Sequence, residues 1–179
     1  MTVYPPQIQQ DLSNATVFLD TNVFGSATRS ESFFNFLVDL KENSSCSYST
    51  IPSVLFEVVN GSSTLEIYNQ RADFLRSLVD TIDPVKFIDR IEEFSVVMAK
   101  LNAQNKAYTD FLLACCLYNY RKSGNVYLLT SDLKALPSFF KRTHIIATEE
   151  SKGDIRNFGV YSLNLSAYLK AASSLLAEL

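Results

Sequence analysis

The sequence predicts an α/β protein, a three-layer α/β/α sandwich around a short central parallel sheet. Two observations carry this prediction. Strand-like and helix-like apolar segments alternate in the first third of the chain, and a further apolar strand-like segment, NVYLLT, follows a long helical stretch. The order strand, helix, strand, helix is typical of parallel sheets whose faces are covered by the connecting helices.

The first two strand and helix pairs occupy residues 16–61. The segment TVFLD is short and rich in β-branched and aromatic residues, which predicts a strand. SESFFNFLVDLKEN follows with apolar residues at helical spacing, and CSYST predicts a second strand. IPSVLFEVVNG predicts a helix with Pro52 in its first turn and Gly61 just beyond its end.

Residues 64–121 are predicted to form three helices. The segment DTIDPVKF, where Asp83 can cap a helix that starts at Pro84, and the polar stretch NAQNK divide them. NVYLLT, HIIAT and FGVYSL then predict strands, and a last helix covers about residues 165–179. With 179 residues and no linker or low-complexity tract, we expect one domain, residues 1–179.

Composition excludes several classes of protein. No apolar run approaches the roughly 20 residues of a membrane helix, and the start MTVYPPQIQQ lacks the features of a signal peptide. We therefore expect a soluble, cytoplasmic protein with no membrane partner. Three cysteines without C-x-x-C spacing predict buried thiols rather than disulfides or a zinc site.

The sequence also excludes several catalytic chemistries. It has neither G-x-x-x-x-G-K nor G-x-G-x-x-G, which removes the usual phosphate-loop nucleotide folds. A mechanism with two histidines is excluded because His144 is the single histidine, and we expect this residue at a strand edge.

The net charge of -3 is unevenly distributed along the chain. Residues 1–99 carry 6 basic and 13 acidic side chains, residues 100–142 carry 7 and 2, and residues 143–179 carry 3 and 4. The middle segment alone is basic, which indicates a surface for phosphate groups.

Four acids in apolar surroundings lie at strand ends or early in helices: Asp20, Glu57, Asp110 and Asp132. In a parallel sheet the ligand crevice lies beyond the carboxyl ends of the strands, where Asp20 and Asp132 would emerge. Glu57 and Asp110, on adjoining helices, can point into the same crevice. Carboxylates crowded in this way repel one another unless a divalent cation compensates their charge, and oxygen ligands suit Mg²⁺ or Mn²⁺.

In these motifs the chain resembles the PIN domain family of metal-dependent nucleases. The matching segments are LDTN, the Glu of PSVLFEVV, the Asp of YTDFLLA and the TSD that follows a strand. The acids are separated by 37, 53 and 22 residues, in the order and range of the family. The resemblance covers about residues 16–147 and leaves residues 148–179 as a C-terminal extension.

This resemblance implies a function and a set of site residues. Asp20, Glu57, Asp110 and Asp132 would be the catalytic, metal-binding acids, with Asn22 and Thr130 as polar groups that orient ligands or water. The implied reaction is hydrolysis of RNA by an endoribonuclease that uses Mg²⁺ or Mn²⁺. The commonest setting of a compact member is the toxin of a toxin-antitoxin pair, which would add an antitoxin partner; a homodimer is left open.

Three further residues are candidates for contact with the substrate. Lys106 lies four residues before Asp110 and would share its helix face, which makes it a candidate phosphate clamp. Lys134 belongs to the same basic segment, and Tyr108, two residues before Asp110, can stack on an unpaired base. The alternative role for Tyr108 is core packing.

Each acid also has a plain structural interpretation. Asp20, Thr21 and Asn22 are good helix caps, Glu57 is compatible with a solvated helix face, Asp110 with the first turn of a helix, and Asp132 with a cap. We expect Thr21 to act in local capping.

Two alternative functions stay open. Many family members have another acid after the last motif, where this chain has Lys134 and Ala135. The absence of that acid motivates a non-catalytic PIN-like module that binds RNA or a protein. The second alternative is a structure-specific DNA nuclease.

Overall fold

The computed structural model of the protein describes residues 1–85, 108–122, 124–132, 136–137, 139–151 and 153–176. Two candidate residues, Lys106 and Lys134, lie outside the described residues, as does the body of the helix predicted to start at Pro84. None of the helices in these ranges is both long and apolar enough to cross a membrane.

The structure is a mixed α/β fold, which confirms the predicted class. The strands are β1 (Thr2–Val3), β2 (Thr16–Leu19), β3 (Ser47–Thr50), β4 (Thr81–Ile82), β5 (Val126–Thr130), β6 (Phe140–Glu149) and β7 (Ile155–Leu163). The helices are α1 (Ile8–Asp11), α2 (Thr21–Ala27), α3 (Glu31–Ser44), α4 (Pro52–Asn60), α5 (Leu65–Leu78), α6 (Tyr108–Asn119) and α7 (Leu165–Leu176), with a 3-10 turn at Tyr120–Lys122.

The strands form one sheet in the order β1-β6-β7-β5-β2-β3-β4. The predicted parallel part is present, because β5, β2, β3 and β4 run parallel. The antiparallel strands β7, β6 and β1 extend it beyond β5. The short strands β1 and β4 were not predicted, and β4 occupies a segment interpreted as a divider between helices.

Strand β7 lies within the C-terminal extension, residues 148–179, and contains the segment FGVYSL that was predicted to form a strand. It lies between β5 and β6, with Leu129 opposite Val160 and Thr130 opposite Gly159. The C-terminal residues thus supply an inner strand of the sheet.

Helices cover both faces of this sheet. Phe158 of β7 is on the same face as Val160, and through the strand pairing on the same face as Leu129. Phe33 of α3 stacks on Phe158 with ring centroids 4.5 Å apart. Phe18 of β2 points to the opposite face and contacts Tyr120, directly after α6. The α3 and α6 helices therefore form the two outer layers of the sandwich.

Local sequence signals account for the helix boundaries near the site. Asp20 is the N-cap of α2, and Ser30 caps α3 by accepting from the backbone N–H of Phe33. The α4 helix has Pro52 in its first turn and ends at Asn60, with Gly61 directly after it, as predicted. These caps hold α2 and α4 directly after β2 and β3, where the candidate acids lie.

Candidate active site

The carboxyl ends of strands β2 and β5 form the floor of the candidate site. Leu19 pairs with Leu129, and the backbone N–H of Asp20 donates to the carbonyl of Leu129 at 3.2 Å. Asp20 directly follows β2, and Thr130 is the last residue of β5. Parallel strands end at the same edge of a sheet, so their side chains meet there.

The Asp20 carboxylate is almost completely buried and accepts three hydrogen bonds. It is 5% exposed. Its Oδ1 accepts from the backbone N–H of Thr21 at 2.6 Å. Its Oδ2 accepts from the Thr130 hydroxyl at 2.6 Å and from the Asn22 amide. Asp20 therefore caps α2, as its structural interpretation predicted, and also belongs to a network between two strands.

The hydroxyl of Thr130 has a defined direction. A hydroxyl has one hydrogen and two lone pairs. Asn22 Nδ2 donates to the Thr130 oxygen at 3.1 Å, and the backbone N–H of Asp132 donates to it at 3.0 Å. Both lone pairs are thereby used, so the single hydrogen is directed to Asp20. The predicted neighbours Asn22 and Thr130 thus contact Asp20.

Glu57 is linked to Asp20 through Thr21. The Thr21 hydroxyl donates to Glu57 Oε2 at 2.6 Å, while its backbone N–H donates to Asp20. The Thr109 hydroxyl, in the first turn of α6, donates to Glu57 Oε1. The sequence-based interpretation gave Thr21 a local capping role; in the structure its backbone N–H and its hydroxyl also connect two of the predicted acids.

Electrostatic repulsion is present between these two acids. Burial raises the pKa of the Asp20 carboxyl above its usual value of 3.8, and the charge of Glu57 acts in the same direction. Hydrogen bonds from Thr130, Thr21 and Asn22 oppose the rise without cancelling it. The partners described for both carboxylates are neutral groups, so their negative charge is not compensated by these partners.

Asp110 and Asp132 lie at the same end of the sheet but are less enclosed. Asp110 is half-buried in the first turn of α6, next to Thr109, which contacts Glu57. Asp132 is exposed two residues beyond the end of β5. Within the described ranges, no group of three or more His, Cys, Asp or Glu side chains is close enough to hold a metal ion. Asp20 and Glu57 are linked through Thr21, whose backbone N–H donates to Asp20 and whose hydroxyl donates to Glu57.

Gly159 makes room for the ring of Tyr161. A Cβ atom at Gly159 would lie 2.8 Å from Cζ of Tyr161, so the ring of Tyr161 lies across this glycine. Burial raises the pKa of Tyr161; the charge of Arg142 lowers it, and that of Asp132 raises it. Strand β7 therefore places a buried aromatic ring over Gly159, the residue that pairs with Thr130.

Exposed aromatic side chains lie next to the acids on two helices. Tyr108 is 62% exposed, so the alternative of core packing does not apply to it. Phe56, which precedes Glu57 on α4, is 68% exposed and was not singled out from the sequence. An exposed aromatic ring can stack on an unpaired base.

Sequence reasoning missed three polar residues that the fold brings to this edge. Thr109 contacts Glu57, and Ser131 donates its backbone N–H to Asn22 Oδ1 at 2.8 Å. Arg156 of β7 donates to the Ser131 hydroxyl at 3.0 and 3.2 Å. Thr109 and Ser131 adjoin predicted acids, which was a usable signal. Arg156 had none, because its position depends on the strand order.

Comparison with known proteins gives one distant likeness. No protein-family model matches the chain, and no curated protein matches its sequence. Among solved structures, the fold is similar to a chain of VapBC2 from Rickettsia felis, crystallised with a DNA fragment from their promoter. The TM-score is 0.45 at 20% identity, and the match covers 63% of this chain and 96% of that chain.

Proposed function

We propose that this protein is a metal-dependent endoribonuclease that hydrolyses phosphodiester bonds in RNA. Asp20, Glu57, Asp110 and Asp132 would hold Mg²⁺ or Mn²⁺. Bound there, the ion would supply charge compensation at the phosphoryl group and activation of water. The resemblance to PIN nucleases, in the four acidic motifs, gives the reaction class.

The observation that carries this proposal is the link from Asp20 through Thr21 to Glu57. The carboxylates of Asp20 and Glu57 are close enough for the charge of Glu57 to contribute to the raised pKa of Asp20. The hydrogen-bond partners that the structure describes for both carboxylates are neutral groups. A divalent cation with oxygen ligands would remove the repulsion between them. The chemistry of the donor atoms therefore fits Mg²⁺ or Mn²⁺.

The polar neighbours orient the acids for this role. Thr130 and Asn22 hold Oδ2 of Asp20, and Thr21 and Thr109 each hold one oxygen of Glu57. These hydrogen bonds restrict the rotation of both carboxylates before any ligand binds. The loss of side-chain entropy that ligand binding would otherwise require has already occurred in the folded protein, which favours ligand binding.

The direct test is cleavage of a mixed RNA pool in the presence of Mn²⁺. The protein should cleave RNA with Mn²⁺ and not with EDTA, and Asp20→Asn should lower the rate by at least about 100-fold, on the order of the loss of one strong electrostatic group. Asp73→Asn, on the exposed side of α5, is the matched control. Equal cleavage by the protein and by Asp20→Asn would end the assignment of this site.

A second candidate is a non-catalytic module that binds RNA or a protein. It is favoured by two facts: Asp132 is exposed, and the described residues contain no group of three or more acids close enough to hold a metal ion. Binding of RNA that is unaffected by Mn²⁺, with no cleavage and no ion among the acids after a Mn²⁺ soak, would decide for this candidate. Parallel digestion of RNA and DNA identifies the preferred nucleic acid.

The toxin setting has its own test. If the nuclease is the toxin of a toxin-antitoxin pair, its expression should arrest growth, and Asp20→Asn should not. A small protein encoded beside it should restore growth and co-purify with it. Size-exclusion chromatography with light scattering would show at the same time whether the chain forms a homodimer.

A further inference from the structure

Arg156 is a cation at the rim of the candidate site. Its Nη2 and Nε donate to the Ser131 hydroxyl at 3.0 and 3.2 Å. Ser131 lies between Thr130 and Asp132, and its backbone N–H donates to Asn22, which contacts Asp20. A chain of hydrogen bonds through Ser131 and Asn22 therefore connects the guanidinium of Arg156 to the buried carboxylate of Asp20.

The charge of Arg156 is only weakly compensated. The closest carboxylate contact recorded for it in the described ranges is Oε1 of Glu150, 3.9 Å from Nη1. Glu150 is already bound by Arg29, at 2.6 Å from Nε and 3.1 Å from Nη2, and by the Ser26 hydroxyl at 2.5 Å. The side chain of Arg156 is 40% exposed, so a ligand can reach it.

The surroundings of this cation indicate which ligand it would take. It faces the edge of the sheet where Asp20 and Glu57 concentrate negative charge. A polyanion that approaches those acids is repelled unless a positive group lies beside them. A guanidinium presents donors in planar forks that match two oxygens of one phosphate. Ser131 uses the N–H of Nε and one N–H of Nη2, which leaves the end-on fork of Nη1 and Nη2 for a phosphate.

We propose that Arg156 binds a phosphate group of a single-stranded nucleic acid, next to the phosphate that the acids would cleave. This inference rests on the proposed nuclease function for its substrate class. The Ser131 hydroxyl accepts from Nε and Nη2 and so orients the guanidinium, and Glu150 Oε1 lies 3.9 Å from Nη1. Strand β7 thus supplies a phosphate subsite.

A binding experiment separates this role from a purely structural one. Fluorescence anisotropy with a short single-stranded RNA in EDTA measures Kd without cleavage, across a series of salt concentrations. Arg156→Gln should raise Kd about tenfold and reduce the slope of log affinity against log salt by about 0.7, the value for one phosphate contact on a single strand. Arg156→Lys keeps the charge and should retain the slope.

Arg76→Gln is the matched control. Arg76 is a surface arginine on α5, 75% exposed and paired with Asp73. Its replacement changes the net charge by the same amount and should leave both Kd and the salt slope unchanged. Thermal unfolding of each variant shows whether the fold is retained, and Arg156→Lys supplies the comparison if Arg156→Gln is unstable.

The outcomes distinguish this inference from the nuclease proposal. If Arg156→Gln binds RNA as the unaltered protein does, or changes no more than Arg76→Gln, the phosphate subsite is refuted whatever the cleavage assay shows. Absence of RNA binding by the unaltered protein also refutes it. If binding depends on Arg156 but Mn²⁺ produces no cleavage, the subsite stands and the nuclease proposal fails.

Discussion

The hydroxyl of Thr130 links the ends of strands β2 and β5 at the candidate site through hydrogen bonds. Its single hydroxyl donates to Asp20 and accepts from Asn22 and from the backbone of Asp132. It is 3% exposed, so no water replaces these partners without a rearrangement. A buried polar group that loses its partner costs about 1–3 kcal/mol.

Thr130→Val should therefore destabilise the protein by about 1–3 kcal/mol, because Asn22 Nδ2 and the Asp132 N–H lose an acceptor. Chemical denaturation at neutral pH measures this loss. Thr130→Ser is the control, since it keeps the hydroxyl and should retain most of the free energy of unfolding. If valine and serine have equal effects, the cost comes from packing and the hydrogen-bond network contributes nothing.

At the level of single residues, the sequence predicted the part of the site that lies at the ends of strands. Asp20 and Asn22 follow the apolar strand β2, and Thr130 ends the apolar strand β5. Their meeting depends only on the parallel pairing of these two strands. Thr109 and Arg156 reach the same edge through the packing of α6 and the placement of β7, which are long-range features. No periodicity or spacing in one chain encodes such contacts.

At the level of elements, Glu150 fastens the turn between β6 and β7 to helix α2. Arg29 and Ser26 of the α2 region both donate to its carboxylate. Burial pushes the pKa of Glu150 up, but these hydrogen bonds and the charges of Arg29 and Arg156 outweigh burial, so its pKa lies below the usual 4.5. The ionised form is therefore favoured by the fold.

This lowered pKa predicts a pH-dependent stability. Folded Glu150 binds fewer protons than unfolded Glu150, so its contribution is complete above pH 4.5 and is lost as the pH falls through the lower folded pKa. Glu150→Gln should cost about 1 kcal/mol at pH 7, a value reduced for solvent screening because Arg29 is 37% exposed. This difference should shrink below about pH 4.

Thermal unfolding between pH 3 and pH 7 would measure that difference. Glu149→Gln is the neighbouring control, since Glu149 is 54% exposed and contacts only the N-terminal amine at 3.5 Å among the ion pairs described. Its replacement should have little effect at any of these pH values. A constant difference between Glu150→Gln and the unaltered protein at all pH values would contradict the assigned pKa.

The strand order sets the limit of prediction at this level. The strands β2, β3 and β5 and the helices α3 and α4 follow from local apolar patterns, because each element buries its own side. The order of β5, β7 and β6 does not, because antiparallel strands can pair in several orders with the same alternation. Short β1 and β4, with two residues each, carry too little pattern to be distinguished from loops.

At the level of the whole molecule, the burial of Asp20 and its proximity to Glu57 are unfavourable for the charged form of the Asp20 carboxylate. Burial and the charge of Glu57 both raise the pKa of Asp20, so the fold holds this carboxylate against its tendency to take up a proton. Such a cost in the ligand-free protein is typical of sites built for binding rather than for stability. A ligand that compensates the charge should therefore stabilise the entire fold.

Addition of Mg²⁺ or Mn²⁺ should consequently raise the melting temperature of the protein. A ligand that binds only the folded state contributes about 2.7 kcal/mol at 100 times its Kd, which for a chain of this size corresponds to roughly 5–10 °C. Asp20→Asn should abolish most of the rise, whereas Asp73→Asn, which is 72% exposed on α5, should retain it. Differential scanning fluorimetry over a range of ion concentrations measures the effect, with Na⁺ at matched ionic strength as the reference. An equal rise in Asp20→Asn would place the bound ion away from the candidate site, because the loss of the buried charge removes the reason for the ion to bind there.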